Sequence, residues 1–272
     1  MRPGGLAAGG LALALLTGCA QSVDPIERLS EKAAQRVRPH EAAVPAERAA
    51  YLRWGLTAPL APAPKPSRAS PAKAAGRGLP PVVHRVRTRD KVVFLTYDDG
   101  AEKDPRFVDM VRELRLPVSV FLTDSVVGPG YGHFARLRSA GAGIQNHTLD
   151  HPSLRGLPYA GQRAEICGQQ DRLRARLGAR PRLFRPPYGA YDTTTRRAAA
   201  DCGISALVLW RASMTGTGEL TYAQGGDHLR AGDIVAVDPD ESAGLPLRRR
   251  TLRLLRRVQE QGLTVGRLED YV

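Results

Sequence analysis

The sequence predicts an α/β fold on a mainly parallel sheet, closed or nearly closed. Two features carry the prediction. From Val82 onward, seven short apolar runs alternate with stretches of helical periodicity, the order in which β-α units follow one another along a chain. The first run, Val92–Leu95, is apolar at every position rather than every second one, as a strand covered on both faces should be.

The strand-like runs are Val92–Tyr97, Val118–Thr123, Gly143–His147, Arg182–Arg185, Ala206–Trp210, Ile234–Val237 and Thr264–Leu268. Between them, Phe107, Val111 and Leu114 share one helical face and Phe134 and Leu137 a second. Ile166, Leu173 and Leu177 share a third, and Leu247, Thr251, Leu254, Leu255 and Val258 a fourth. Each set has the spacing of a helix that buries one stripe.

The residues before Val82 are of another kind. Arg2 precedes a short apolar stretch containing Leu11–Leu16, too short to span a bilayer. Leu16-Thr17-Gly18-Cys19 closes it and resembles a bacterial lipobox. That resemblance implies a lipoprotein signal peptide over 1–18 and acylation of Cys19, anchoring the chain to the cell membrane on its extracytoplasmic face. Several acyl chains on one residue hold where a single chain is marginal. Residues 19–56 contain two weakly helical pieces, with Trp54 either docked on the main domain or exposed. Residues 57–81 carry seven prolines among Ala, Ser, Lys and Arg, with no acid and no aromatic. They read as an extended linker reaching on the order of 75 Å. The main domain is 82–272.

The formal net charge is +13, and only five of the 40 basic residues are lysines. Such a charge attracts anionic partners such as acidic wall polymer or phospholipid; the plainer account is an arginine bias spread over the surface. The sequence has no Lys/Arg block interleaved with aromatics, so nucleic acid is not an expected partner. With Cys19 acylated, Cys167 and Cys202 remain, an even pair in an oxidising compartment. They form either a disulfide or two buried thiols.

In such folds the reactive groups gather where strands end. Five expected ends carry them: Asp98-Asp99, Asn146-His147, Arg185-Pro186-Pro187-Tyr188, Trp210 and Asp238. His147 and His151 are four apart, a spacing that can bring two imidazoles to one cation. Two histidines and one carboxylate would leave coordination positions open, which is the catalytic kind of site. Asp98 and Asp99 repel one another unless a cation offsets them. One can ligate it while the other stays free as a base. The alternative is an Asp-Gly turn with solvated charges.

Thr96–Gly100 (TYDDG), Asn146–Pro152 (NHTLDHP) and Arg185–Asp192 (RPPYGAYD) resemble the first three motifs of the polysaccharide deacetylases, carbohydrate esterase family four or NodB-homology domain. Pro117–Thr123 resembles the family's second strand, and order and spacing agree over about residues 90–270. The resemblance implies a distorted (β/α)7-type barrel. It implies a hydrolase removing N- or O-acetyl groups from a glycan such as peptidoglycan or chitooligosaccharide. Asp98 matches the general base, and Asp99, His147 and His151 match the ligands of a divalent metal, usually zinc, with cobalt as another. Arg185 matches the arginine that orients the base, and Tyr188 the residue whose backbone N–H holds the oxyanion. Tyr188 and Trp210 are expected to contact substrate, and the protein to act as a monomer.

Two motifs depart from the family pattern. Its fifth motif ends a strand with a histidine that protonates the leaving amine. In Gly232–Asp240 (GDIVAVDPD), Asp238 stands at that place. Its fourth motif follows a tryptophan with aspartates that tune this histidine. Here Trp210 is followed by RASMTGTG, with no acid before Glu219. Three readings follow. Asp238 replaces the histidine as acid, which requires a pKa raised from about 4. Alternatively, Asp98 returns the water's proton to the leaving group, giving a slower enzyme or one favouring esters. Or catalysis is impaired and a glycan-binding module remains. His133 and His228 are placed outside the site, His133 at the surface or on a helix.

Overall fold

The computed structural model describes residues 48–66, 78–99, 104–223, 226–238 and 244–272. The expected signal peptide, Cys19 and residues 67–77 of the expected linker lie outside the described residues.

The strands are β1 (Val82–Val83), β2 (Val92–Asp99), β3 (Ser119–Leu122), β4 (Gly143–Asn146), β5 (Leu183–Phe184), β6 (Ala206–Val208), β7 (Ala212–Met214), β8 (Leu220–Tyr222), β9 (Ile234–Val237) and β10 (Thr264–Val265). They form one curled sheet in the order β1-β6-β5-β4-β3-β2-β9-β7-β8, with β10 beside β2. Every strand pairing except the β7–β8 hairpin is parallel. The seven expected runs appear as β2, β3, β4, β5, β6, β9 and β10. The three unexpected strands, β1, β7 and β8, have two or three residues each, too few for a period to show.

The helices are α1 (48–53), α2 (Pro105–Glu113), α3 (Asp124–Val127), α4 (Tyr131–Ser139), α5 (Tyr159–Leu177), α6 (Thr193–Asp201), α7 (Leu247–Glu260) and α8 (Leu268–Tyr271). The four expected stripes are all buried. At about 1.5–3 kcal/mol per large side chain, that burial holds the helices to the sheet. His133 lies on α4, as one expectation had it, and is buried rather than at the surface. Cys167 on α5 and Cys202, which caps α6, are joined by a disulfide. Thus one of the two readings of that pair holds.

The period of two divides strand side chains between an inner core and two outer clusters, the smaller of which holds Phe184 of β5 and Leu207 of β6 with Ile166, Ala198 and Ala199. Val93, Leu95 and Tyr97 of β2 pack outward with the helices, together with Val120, Leu122, Val235 and Val237. Val92 and Phe94 point into the curl, with Phe121, Leu183, Ala206, Val208 and Ile234.

The packing reaches further toward the N-terminus than the boundary at residue 82 read from composition. Ala50, Tyr51 and Leu56 are buried in the outer core. Trp54 docks: its indole N–H donates to Glu113 Oε2 at 2.9 Å. Gly55 O accepts from Arg256, Ala58 O from Gln259 at 2.6 Å, Ala61 O from Thr264 and Pro64 O from Tyr271 at 2.8 Å. Residues 57–66 therefore lie along the domain instead of spanning free space. They run past the ends of α2 and α7, on the side where the strands begin.

Candidate active site

Counting in twos from the inner core places the polar strand ends. Thr96 and Asp98 follow Phe94 on the inner face of β2, and Arg185 follows Leu183. Trp210 follows Val208, Thr123 follows Phe121, and His147 follows Gln145. Asp238 lies two residues past Ala236, whose register partners are Thr96 and Ser213. One step beyond the last paired residues of β2 and β9, Asp98 and Asp238 are neighbours. Asp98, Thr96, Thr123, His147 and Arg185 meet at this end, although their segments are far apart in sequence.

Arg185 is fully buried, so its charge needs partners. Nη1 donates to Asp98 Oδ1 at 2.6 Å, Nη2 to Thr96 Oγ1 at 2.9 Å and Nε to Val208 O at 3.1 Å. The guanidinium carbon lies 4.3 Å from the Phe121 ring centre and 5.4 Å from that of Trp210. Trp210 thus backs the arginine. Burial lowers the guanidinium pKa and Asp98 opposes that shift; the group remains a cation.

His147 Nδ1 lies 2.7 Å from Arg185 O. A carbonyl only accepts, so Nδ1 carries the proton and Nε2 presents its lone pair. Burial pushes the His147 pKa down, against Asp98 and Asp99, which raise it, and the ring stays neutral. His147 Nε2 lies 3.6 Å from Asp99 Oδ1, and His151 Nε2 lies 3.4 Å from the same oxygen. Two ligands at about 2.1 Å on a tetrahedral ion are about 3.4 Å apart. The donor set, two imidazole nitrogens and one carboxylate oxygen within 4.8 Å of one another, fits a divalent cation.

The backbone at the site is strained. Asp99, Thr148, His151 and Tyr188 have φ of 60°, 78°, 58° and 59°; among the described residues Arg115 is the one other non-glycine with positive φ. Each costs on the order of 1 kcal/mol or more and persists where the surroundings impose it. For Asp99 the effect is visible: left-handed backbone breaks the alternation of β2 and turns the side chain toward the histidines. Tyr188 sits in the short 3-10 turn Pro187–Gly189 and is 71% exposed. Its ring meets His151 edge-on, centres 4.8 Å apart.

Sequence reasoning missed the supporting groups. Thr123 Oγ1 lies 3.2 Å from Asp99 Oδ1 and 3.0 Å from His147 O. Thr148 Oγ1 accepts from His151 N, and Asn146 Oδ1 from Thr148 N. Glu165 accepts from two amides of the histidine loop. The signal available for Thr123 is its position at the end of a predicted strand; Asn146 is expected at a strand end beside His147, without its role in holding the loop.

A sequence profile described as Polysaccharide deacetylase matches residues 85–207. An uncharacterised protein of Streptomyces coelicolor is 66% identical over 204 residues, covering 74% of this chain and 82% of that one. A chitin deacetylase of Amylomyces rouxii is 32% identical over 146 residues, 51% of this chain and 34% of that enzyme. The chain belongs to the polysaccharide deacetylase family. It spans most of the Streptomyces protein but about a third of the fungal enzyme. Among solved structures, the fold resembles a carbohydrate esterase family four pseudoenzyme of Bacillus anthracis, as a mutant with restored enzymatic activity. Its TM-score is 0.57 at 21% identity, over 69% of each chain. The curled, mainly parallel barrel of this chain is therefore the fold that this structure also has.

Proposed function

We propose that this chain hydrolyses N- or O-acetyl groups of a cell-wall or related glycan, with a divalent cation, zinc or cobalt among the candidates, held by Asp99, His147 and His151. The observation that carries the reading is the division of labour between adjacent carboxylates: Asp99 faces two imidazoles, while Asp98 stands beside them on Arg185. A divalent cation bound there supplies Lewis acidity, lowering the pKa of water and polarising an acetyl carbonyl. Asp98 takes the proton of the attacking water. Arg185 holds that carboxylate aimed through a charge-assisted hydrogen bond. The Tyr188 N–H, at the mouth, faces the developing oxyanion.

The last proton is the open step. Asp238 replaces the expected histidine beside Asp98, and Ser213 is in register with Ala236, two residues before Asp238 on the same strand face. Two carboxylates side by side, without an imidazole, favour a second reading: a glycan-binding module with impaired turnover. A pseudoenzyme of the same fold can regain activity by mutation, which supports treating the two readings as close in structure.

The lipobox-like Leu16–Cys19 supports acylation at Cys19 and an extracytoplasmic location, in keeping with the Cys167–Cys202 disulfide. The deciding experiment is acetate release from acetylated chitooligosaccharide and from peptidoglycan by the full chain with added zinc or cobalt, against Asp98→Asn. Release well above that control supports hydrolysis. Glycan affinity with no release supports the binding module.

A further inference from the structure

We infer that Glu165 is a positioning residue for the cation site: one carboxylate oxygen on α5 fixes the loop that presents His151. This deepens the proposed function and rests on reading Asp99, His147 and His151 as a cation site.

Glu165 is half-buried, and its Oε2 accepts from Leu149 N at 3.1 Å and from Asp150 N at 3.0 Å. Two amides converging on one anionic oxygen make charge-assisted bonds, stronger than neutral ones. The two residues lie between the loop's strained positions, Thr148 (φ 78°) and His151 (φ 58°). Without a holder on each side of its strain, a loop relaxes to commoner backbone angles. On the carbonyl side the loop is held from α3, where Ser125 N donates to Leu149 O at 2.9 Å and Asp124 N to Thr148 O at 3.4 Å; further holders come from the same helix as Glu165. Asn146 Nδ2 donates to Ile166 O at 2.9 Å and to Gln170 Oε1 at 3.3 Å, and Asn146 Oδ1 accepts from Thr148 N at 3.0 Å. Gln170 Nε2 in turn reaches Cys202 O at 3.1 Å, next to the disulfide that ties Cys167 of α5 to the end of α6. The helix thus presents a polar edge to the histidine loop, and Glu165 is the one member that grips the segment immediately before His151.

Outer groups that orient metal ligands typically change metal affinity by 10–100-fold when removed. The test is zinc affinity of the full chain, by competition with a chromophoric chelator, for wild type, Glu165→Ala and Glu165→Gln. Hydrogen exchange of residues 148–152 without metal is measured in parallel. Since a single oxygen does the accepting, glutamine can replace it. The expected result is affinity at least tenfold weaker with alanine, within about threefold of wild type with glutamine, and faster exchange of the loop with alanine alone. If wild type binds zinc and alanine binds it equally well, the positioning role is overturned. If wild type binds no zinc, the cation reading itself falls and takes this inference with it. Equal melting temperatures of the alanine and glutamine variants separate positioning from general loss of stability.

Discussion

Asp98 and Asp99 are consecutive, yet they serve different partners: Asp98 Oδ1 accepts from Arg185 at 2.6 Å, while Asp99 Oδ1 faces His147 and His151 at 3.6 and 3.4 Å. Strand alternation puts Asp98 inward. The positive φ of Asp99 turns the next side chain back to the same cavity. This is how a strand can end in two acids without setting both on one partner.

The first prediction concerns Arg185. Lysine cannot reach Asp98, Thr96 and Val208 O together. Arg185→Lys should cut acetate release by about 100-fold or more, from loss of a positioned, charge-assisted contact. Arg185→Met should also destabilise the fold by about 3–5 kcal/mol, the usual effect of removing one partner of a buried ion pair. Denaturant titration beside kinetics separates the two. Equal activity of Arg185→Lys and wild type would remove the role assigned to the pair.

Replacing Asp238 by histidine places an imidazole in register with Asp98. Asp238→His should raise turnover at least tenfold, within the usual range for a general acid, and adding Ser213→Asp should raise it further. A flat response in both variants would argue that binding, not hydrolysis, is what the site retains.

Divalent cations should stabilise the folded chain through the three ligands. At a free concentration a hundredfold above Kd, the gain is about 2.7 kcal/mol, read as a rise of several degrees in Tm. His147→Ala and His151→Ala should each abolish that rise. A cation-dependent rise that survives both substitutions would place the ion elsewhere.

The docked N-terminal segment carries a pH dependence. Hydrogen bonds from Trp54 and then Arg53 hold the Glu113 carboxyl below its ordinary range. A lowered folded pKa contributes stability that is complete above the unfolded value, about 4.3, and is lost as pH falls through the folded value. In a Trp210→Phe background, Trp54 fluorescence should report undocking in acid, and Glu113→Gln should flatten that transition. Fluorescence that titrates identically in both would assign the change to another group.

The disulfide closes a separation of 35 residues. In the chain-entropy account, that is worth about 4 kcal/mol. Cys167→Ser with Cys202→Ser should lower unfolding stability by that order in urea titration, and by the same amount as reduction of wild type.

What the sequence could show and what it could not follow from physics. The groups of the site were readable because carboxylates and imidazoles at strand ends are few and chemically explicit. The supporting partners were not. Thr123, Glu165 and Gln170 are ordinary residues whose importance comes from where another segment lands. Arg185 was readable as a partner of Asp98, but its burial runs against the usual surface place of arginine and depends on Phe121 and Trp210. The hairpin β7–β8 was hidden by its length. The docking of 48–66 was hidden because Tyr51 and Leu56 are too few and too widely spaced to announce a buried stripe, and because prolines in 57–66 suit a segment lying along a surface as well as one crossing open space.

That segment has a mechanical meaning. It is fastened where the strands begin, through Glu113, Arg256, Gln259 and Tyr271, and the carboxylates and imidazoles sit at the opposite pole. A pull on the chain ahead of residue 48 is carried by bonds that can give way one after another without disturbing the strand ends.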